Sequence, residues 1–576
     1  LLESGRWMSH MRVLPLLAGR RVGTDMLMSL AGKLEVEPAA LYRMVYPQRA
    51  VVLKTLGQRI EAWRSTKPEA RDVWESLLSK RQVLASLLLS PAGAGRDSEQ
   101  ETKAIRALQE ECVELEDRLQ QLADDDVTSR RAEFSVAELQ RVMAPNCVFV
   151  DFIEYRYVDG RGASDQGIRR YDAFVVSRQG VERVELGEAD PIDAMIGKWQ
   201  DAIRAGAPVS AGTALAGRLW RPIAAVLSDD IDTIVVSPTG GICSVSWGAL
   251  PGVGGAPLLE RYRWAVVPYG AWWVEMSLRR RRNVAAERRQ RDGAGGAVVL
   301  VGDIDYGQAA TAVGEPIAGI SRSAVFRGGT NLARLPGSTE ELRYVARVAG
   351  DRPVVRLTGR GATASRVRAA LSTARCAHFA THGMAADQRV SRAYGDSKRR
   401  RNVLNVSRPR GRNPFSLTAL ALSGAARLSP ESLLTGDIIC SLDLPELELV
   451  VLSACRTADG PRLARQGVFS VQNAFLLGGV PSVVSAVWEV DDRATVRLME
   501  RFYWHLWKGH RPPADALRQA QLDLLRGGTG EVAAPGRLRG PNVAREVPVG
   551  SRRVSSRRGA PPRDWAAFIY SGLLAP

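Results

Sequence analysis

Cys455 and His382 are the residues whose type and placement could do chemistry. Cys455 follows Leu449, Val450, Val451 and Leu452, an unbroken apolar run, and then the small Ser453 and Ala454. Such a run reads as a short strand buried on both faces, the kind found inside a parallel sheet. Open α/β sheets keep their chemistry just beyond the carboxyl ends of their strands, so a thiol there is rigidly held yet can reach a substrate. A buried core cysteine explains this stretch equally well when it is taken alone. Residues 376–383, Cys-Ala-His-Phe-Ala-Thr-His-Gly, break the tie. They read as a second strand that ends in His382 and Gly383. An imidazole raises the thiolate fraction of a neighbouring thiol and later protonates a leaving amine. Gly383 lets the backbone approach closely, so its N–H and that of Cys455 could hold an oxyanion together. His378, four residues earlier, reads as a strand residue inside the sheet.

The same residues resemble the CHAT domain, a caspase-like relative of separase. His-Phe-Ala-Thr-His-Gly (378–383) and Leu-Val-Val-Leu-Ser-Ala-Cys-Arg-Thr (449–457) carry the likeness. In the family's order come also Leu-Pro-Gly-Ser-Thr-Glu-Glu (335–341), Leu-Thr-Gly-Asp-Ile (434–438), the run 479–492 and Trp-Ala-Ala-Phe-Ile (565–569). Weaker matches begin near Leu219. The resemblance implies a cysteine endopeptidase acting on a protein or peptide substrate, with His382 as acid/base and Cys455 as nucleophile. It also implies a specificity. Trp-Glu-Val-Asp-Asp (488–492) is similar to a separase stretch whose final Asp lines the pocket for a substrate arginine. Asp492 occupies that position, with Asp491 beside it as the fallback. A carboxylate there pairs bidentately with guanidinium and selects cleavage after Arg or Lys. The plainer role for Asp492 is to cap a helix starting near Arg493. The rival reading of the whole chain is a catalytically silent CHAT scaffold in a bacterial-type regulatory complex.

Composition narrows the alternatives. A chain of 576 residues, 45% of them hydrophobic, has room for several soluble domains. Its six cysteines lie far apart with no CxxC pair, which suggests neither a zinc site nor a disulfide framework and fits a reducing, cytoplasmic compartment. No uninterrupted apolar run reaches the ~18 residues of a membrane span. No glycine-rich loop has nucleotide-binding spacing; Thr239, Gly240 and Gly241 follow a strand but lack the Lys-Ser/Thr pair. No cofactor or metal is expected. The net charge of +17 invites a nucleic-acid reading. The charge, however, is concentrated in three segments, 279–291, 385–414 and 526–563, and Tyr394 is the single aromatic residue among them. Solvated loops, with no specific nucleic-acid partner, fit better than a base-stacking platform. The chain starts at Leu1 rather than methionine, as a C-terminal portion of something longer would.

The elements needed to position these residues follow from periodicity. Residues 1–130 read as helical, and Ile105, Leu108, Cys112, Leu115, Leu119 and Leu122 form an a/d stripe within 104–123. A helical hairpin is expected there, either a remnant of helical repeats or a docking arm for a regulatory partner. Residues 131–210 are β-rich and join a companion lobe without an active site of its own. Residues 211–576 form the CHAT domain, with 211–290 belonging to the companion lobe and 291–576 to the catalytic lobe. Alternating strands and helices there predict an α/β fold with a doubly wound, mostly parallel sheet. The basic insertions 385–414 and 526–563 interrupt it. The first holds Lys398, Arg399, Arg400 and Arg401, and is expected to be either a self-processing loop or plain solvated chain.

Overall fold

A single sheet of eleven strands runs through both halves of the chain in the computed structural model. The structure describes residues 21–64, 68–89, 98–122, 134–158, 167–287, 296–307, 332, 334–385, 414–427, 429–454, 462–463, 467–488, 490–527 and 560–574. The first strands are β1 (Cys147–Tyr157), β2 (Ile168–Val176), β3 (Val181–Glu188), β4 (Thr233–Ser237) and β5 (Arg263–Val266). Next come β6 (Ala297–Ile304), β7 (Val354–Gly359), β8 (Ala374–Ala380), β9 (Gly383–Ala385), β10 (Thr418–Ala421) and β11 (Leu433–Thr435). The last are β12 (Leu449–Leu452), β13 (Arg462–Leu463), β14 (Gly467–Val468), β15 (Ser482–Ala486) and β16 (Phe568–Gly572).

The large sheet has the order β3-β2-β1-β4-β5-β16-β15-β12-β8-β6-β7. It is parallel except where β1, β2 and β3 form a meander and where β16 runs against β15. Strand β16 closes the two halves into one sheet, pairing with β15 on one side and at Ser571↔Val266 with β5 on the other. Every residue of β4, β12 and β15 is buried. That is the signature of strands covered on both faces, and it is why their sequences are apolar throughout rather than alternating. The architecture is the expected one: α/β, mostly parallel, with helices ahead of the sheet.

Several boundaries differ for local reasons. Strand β8 ends at Ala380, so His382 lies just past the strand rather than inside its end. The chain turns there into a small antiparallel sheet, β11-β10-β9, in which Ala385 pairs with Thr418. The basic insertion therefore joins two paired strands; its residues 386–413 lie outside the described residues. So do 288–291 and 528–559 of the other two basic segments. Helix Val471–Leu477 starts where it does because Ser470 caps it by accepting a hydrogen bond from Asn473 N at 3.2 Å.

The N-terminal region forms helices Arg21–Ala31, Pro38–Val45, Val51–Arg64, Pro68–Leu89 and Ser98–Leu122. The last two make the anticipated hairpin. Its core joins Ala70, Val73, Leu77 and Leu84 to Cys112 and Leu119, flanked by Leu108, Leu115 and Leu122 of the predicted stripe. The earlier helices are fastened to β1 by a buried ion pair, Arg49 donating from Nε and Nη2 to Asp151 at 2.8–3.1 Å. Among the described residues, no helix is long and apolar enough to cross a membrane.

Candidate active site

The carboxyl ends of β6, β8, β12 and β15 lie side by side. Leu449 to Leu452 of β12 pair in parallel with Cys376 to Phe379 of β8 and with Ser482 to Ser485 of β15. The strand leading to Cys455 is thus flanked by the strand leading to His382 and by the one leading to Asp491 and Asp492. Cys455 itself lies outside the described residues, which reach Ala454.

His382 is almost completely buried, at 1% exposure. Its carbonyl accepts a hydrogen bond from Ala421 N at 2.9 Å, which anchors the backbone to β10. Its ring sits against Tyr306, centroids 5.0 Å apart and tilted by 50°. Tyr306 is held in turn. The Thr381 hydroxyl donates to Ala421 O at 2.5 Å, so the Tyr306 hydroxyl, 2.9 Å from Thr381 Oγ1, is the donor in that contact. Gly383 opens β9 and pairs with Leu420.

His378 is placed as a residue inside the sheet should be, at 0% exposure. Its Nδ1 lies 3.0 Å from the Tyr503 hydroxyl and its Nε2 lies 3.1 Å from Glu341 Oε1. Ser453 Oγ donates to that same Glu341 oxygen at 2.7 Å. Burial, and then the nearby Cys376 and Glu341, push the Tyr503 hydroxyl well above the usual phenol range. Glu341, which the sequence reading did not single out, joins this buried cluster. The signal was there: with Ser338, Leu342, Val345 and Val348 it lies on the buried stripe of helix Pro336–Val348, where a carboxylate is out of place unless it is used.

The two acidic candidates divide the work. Asp491 is the N-cap of helix Asp492–Tyr503, accepting from Arg493 N at 3.1 Å and Ala494 N at 2.9 Å. The cap expected of Asp492 therefore belongs to its neighbour. Asp492 is buried, at 4% exposure, and its Oδ2 accepts from Gly337 N at 2.6 Å. A Cβ at Gly337 would collide with that carboxylate. Glycine in the Leu-Pro-Gly-Ser motif is thus explained by a close approach rather than by a turn.

Three other thiols are held away from the thiolate form. Burial pushes Cys112 up to about 11, and Cys147 and Cys376 up to about 12. Among the described residues no cluster of His, Cys, Asp and Glu could hold a metal ion. At Gly240–Gly241 a backbone N–H that a phosphate would need is taken: Gly241 N donates to the Tyr171 hydroxyl at 2.9 Å.

Residues 209–573 match the family model of the CHAT domain, and the chain belongs to that family. Two curated relatives are similar to it. Tetratricopeptide repeat protein 28 of Mus musculus is 30% identical over 190 residues, and that of Homo sapiens 29% over 191. Each match covers 31% of this chain and 7% of the relative, so the likeness spans a small part of those proteins. Among solved structures, the Saccharomyces cerevisiae separase–securin complex is similar, with a TM-score of 0.39 and 10% identity over 97% of this chain and 40% of that one. The Arg-specific cysteine proteinase gingipain R (RgpB) follows, with a TM-score of 0.32 and 7% identity over 66% of this chain and 73% of that one.

Proposed function

We propose that the chain is a cysteine endopeptidase in which Cys455 is the nucleophile and His382 the acid/base. The observation that carries this is the register of β12 on β8. Each residue of β12 faces the residue 73 positions earlier, Leu449 facing Cys376 and Leu452 facing Phe379. Cys455 and His382 are related by the same interval. In the proposed reaction the Cys455 thiolate attacks the scissile carbonyl, forming a C–S bond and a tetrahedral oxyanion. The N–H groups of Gly383 and Cys455 receive that oxyanion. Collapse breaks the C–N bond as imidazolium His382 gives its proton to the leaving amine. Water then attacks the thioester, losing its proton to His382 and expelling the thiolate.

In this reading Asp492 receives the P1 side chain of an arginine or lysine substrate. It follows β15, the strand beside β12, and it is a buried carboxylate anchored by a backbone N–H. Asp491, occupied with its helix, is the weaker candidate. A cytoplasmic setting suits Cys112, Cys147, Cys243, Cys376 and Cys440, the cysteines of the described residues, which are not in disulfides. The N-terminal hairpin is the proposed seat of a regulatory protein partner.

The deciding experiment is labelling with a peptidyl-arginine electrophile, comparing the native chain with Cys455→Ala. One equivalent bound to the native chain and none to the variant supports the reading. A native chain that reacts with neither this reagent nor a set of other P1 electrophiles is instead a silent scaffold.

A further inference from the structure

We propose that Glu341 is the positioning residue of the site, a single buried carboxylate that clamps together the two strands delivering the nucleophile and the acid/base. Backbone pairing cannot do this alone. The β8–β12 ladder ends at Phe379↔Leu452, and both reactive residues lie beyond it in sequence. Past the last pair, the hydroxyl of Ser453 on the nucleophile strand donates to Glu341 Oε1 at 2.7 Å. His378, on the other strand and facing Val451, brings its Nε2 to 3.1 Å from the same oxygen. Tyr503 closes the far side of that imidazole at 3.0 Å.

Stability alone does not call for a carboxylate here. Removing a carboxylate from water is expensive, and buried charged clusters can often be exchanged for apolar packing without loss of folding stability. What such packing cannot do is offer one oxygen to both strands, accepting a hydrogen bond from Ser453 Oγ on one and making a close polar contact, though not an aligned hydrogen bond, with His378 Nε2 on the other. The helix that carries Glu341 also holds Asp492, through Gly337 N in its first turn. One rigid element therefore sets the spacing among the ends of β8, β12 and β15. Glu341 touches no substrate in this scheme; it acts through Ser453 and His378.

The activity arm of the test rests on the peptidase reading, so a second arm does not. The full chain is compared with Glu341→Ala, Glu341→Asp, Glu341→Gln and Ser453→Ala. Two rates are measured: iodoacetamide alkylation of Cys455 as a function of pH, and hydrolysis of an arginyl peptide. Misplacement by about an ångström costs up to ~100-fold in rate. Accordingly, Glu341→Asp, which is one methylene short, and Ser453→Ala should lower kcat by about 10- to 100-fold with KM nearly constant. The pH profile of Cys455 alkylation should move with them. Glu341→Gln keeps the reach and an acceptor oxygen, and should recover the rate to within about fivefold of native. The proposal is overturned if Glu341→Asp and Ser453→Ala alkylate Cys455 at the native rate with the native pH profile. It is overturned equally if Glu341→Gln is as impaired as Glu341→Asp. Should Glu341→Ala fail to fold, the other three variants decide. Altered alkylation alongside a native chain that cuts no peptide retires the peptidase reading and supports the clamp.

Discussion

His378 and His382 carry the same side chain four positions apart and are held in opposite ways. Both imidazoles of His378 and His382 are buried, but His378 is engaged on two sides, by Tyr503 and by Glu341, deep between strands. His382 stands at the strand end against the face of Tyr306. In the proposed dyad, position along the strand separates the structural imidazole from the one assigned the acid/base role. Cys455→Ala and His382→Ala should each abolish peptide cleavage, as measured by steady-state hydrolysis, without unfolding the domain. The two act as a unit, so the double variant should lose little beyond either single one. His378→Ala should instead cost about 2–4 kcal/mol of stability by leaving the Tyr503 hydroxyl and the Glu341 carboxylate short of a buried partner. Urea unfolding of the three variants checks the division. An essential, fully folded His378→Ala enzyme together with an active His382→Ala enzyme would reverse the assignment.

At the scale of elements, two adjacent aspartates sit at the start of one helix with separate duties. Asp491 gives its side chain to the first-turn N–H groups of Arg493 and Ala494, while Asp492 turns back to Gly337. Asp491→Ala should therefore lower stability by about 0.5–2 kcal/mol with arginine preference unchanged. Asp492→Asn should lower kcat/KM for an arginyl peptide by about 100-fold or more, while a norleucyl peptide is little affected. A peptide library read on both variants checks this, and a native preference for aspartate or an apolar residue at P1 would refute the pocket. Nothing local in the sequence separates two neighbouring acids, which is why capping was expected of Asp492. The strands were easier. Runs such as Ala297–Ile304 and Ser482–Ala486 are apolar because they are covered on both faces, and a run of that length between turn residues is readable. Strands β9, β10 and β11 have three or four residues each, too few to show a period, so the small sheet that anchors His382 went unseen. Glu341 was legible only as an acid out of place on the buried stripe of its helix, which marks it as used without saying for what. Its role depends on Ser453, 112 residues away, and on no local pattern.

At the scale of the whole molecule, the N-terminal hairpin reaches the site through one arginine. Arg81 of helix Pro68–Leu89 donates from Nη2 to Glu116 Oε1 at 2.7 Å, with both side chains buried. Next to them is Asp437, of the Leu-Thr-Gly-Asp-Ile motif, at 1% exposure. Burial raises the Asp437 carboxyl above its ordinary range, and the nearby Arg81 charge partly offsets that rise. Asp437 follows β11 directly, β11 pairs with β10, and β10 with β9, the strand that begins one residue after His382. The hairpin is further tied to this region by Gln82, whose Nε2 donates to Pro430 O. Arg81→Met keeps the apolar stem but removes the charge from two buried carboxylates, and should cost about 3–5 kcal/mol at pH 8. The sign with pH follows from linkage. A carboxyl whose folded pKa lies above its unfolded one stabilises the fold when protonated, and loses that contribution as pH rises through the folded value. Without Arg81 the Asp437 value rises further. The variant should therefore recover part of its lost stability between pH 8 and pH 5, where the native chain shows a smaller gain. Urea melts at the two pH values measure this directly. An equal deficit at both would mean that Arg81 contributes packing alone, and that the hairpin is not joined electrostatically to the sheet that anchors His382.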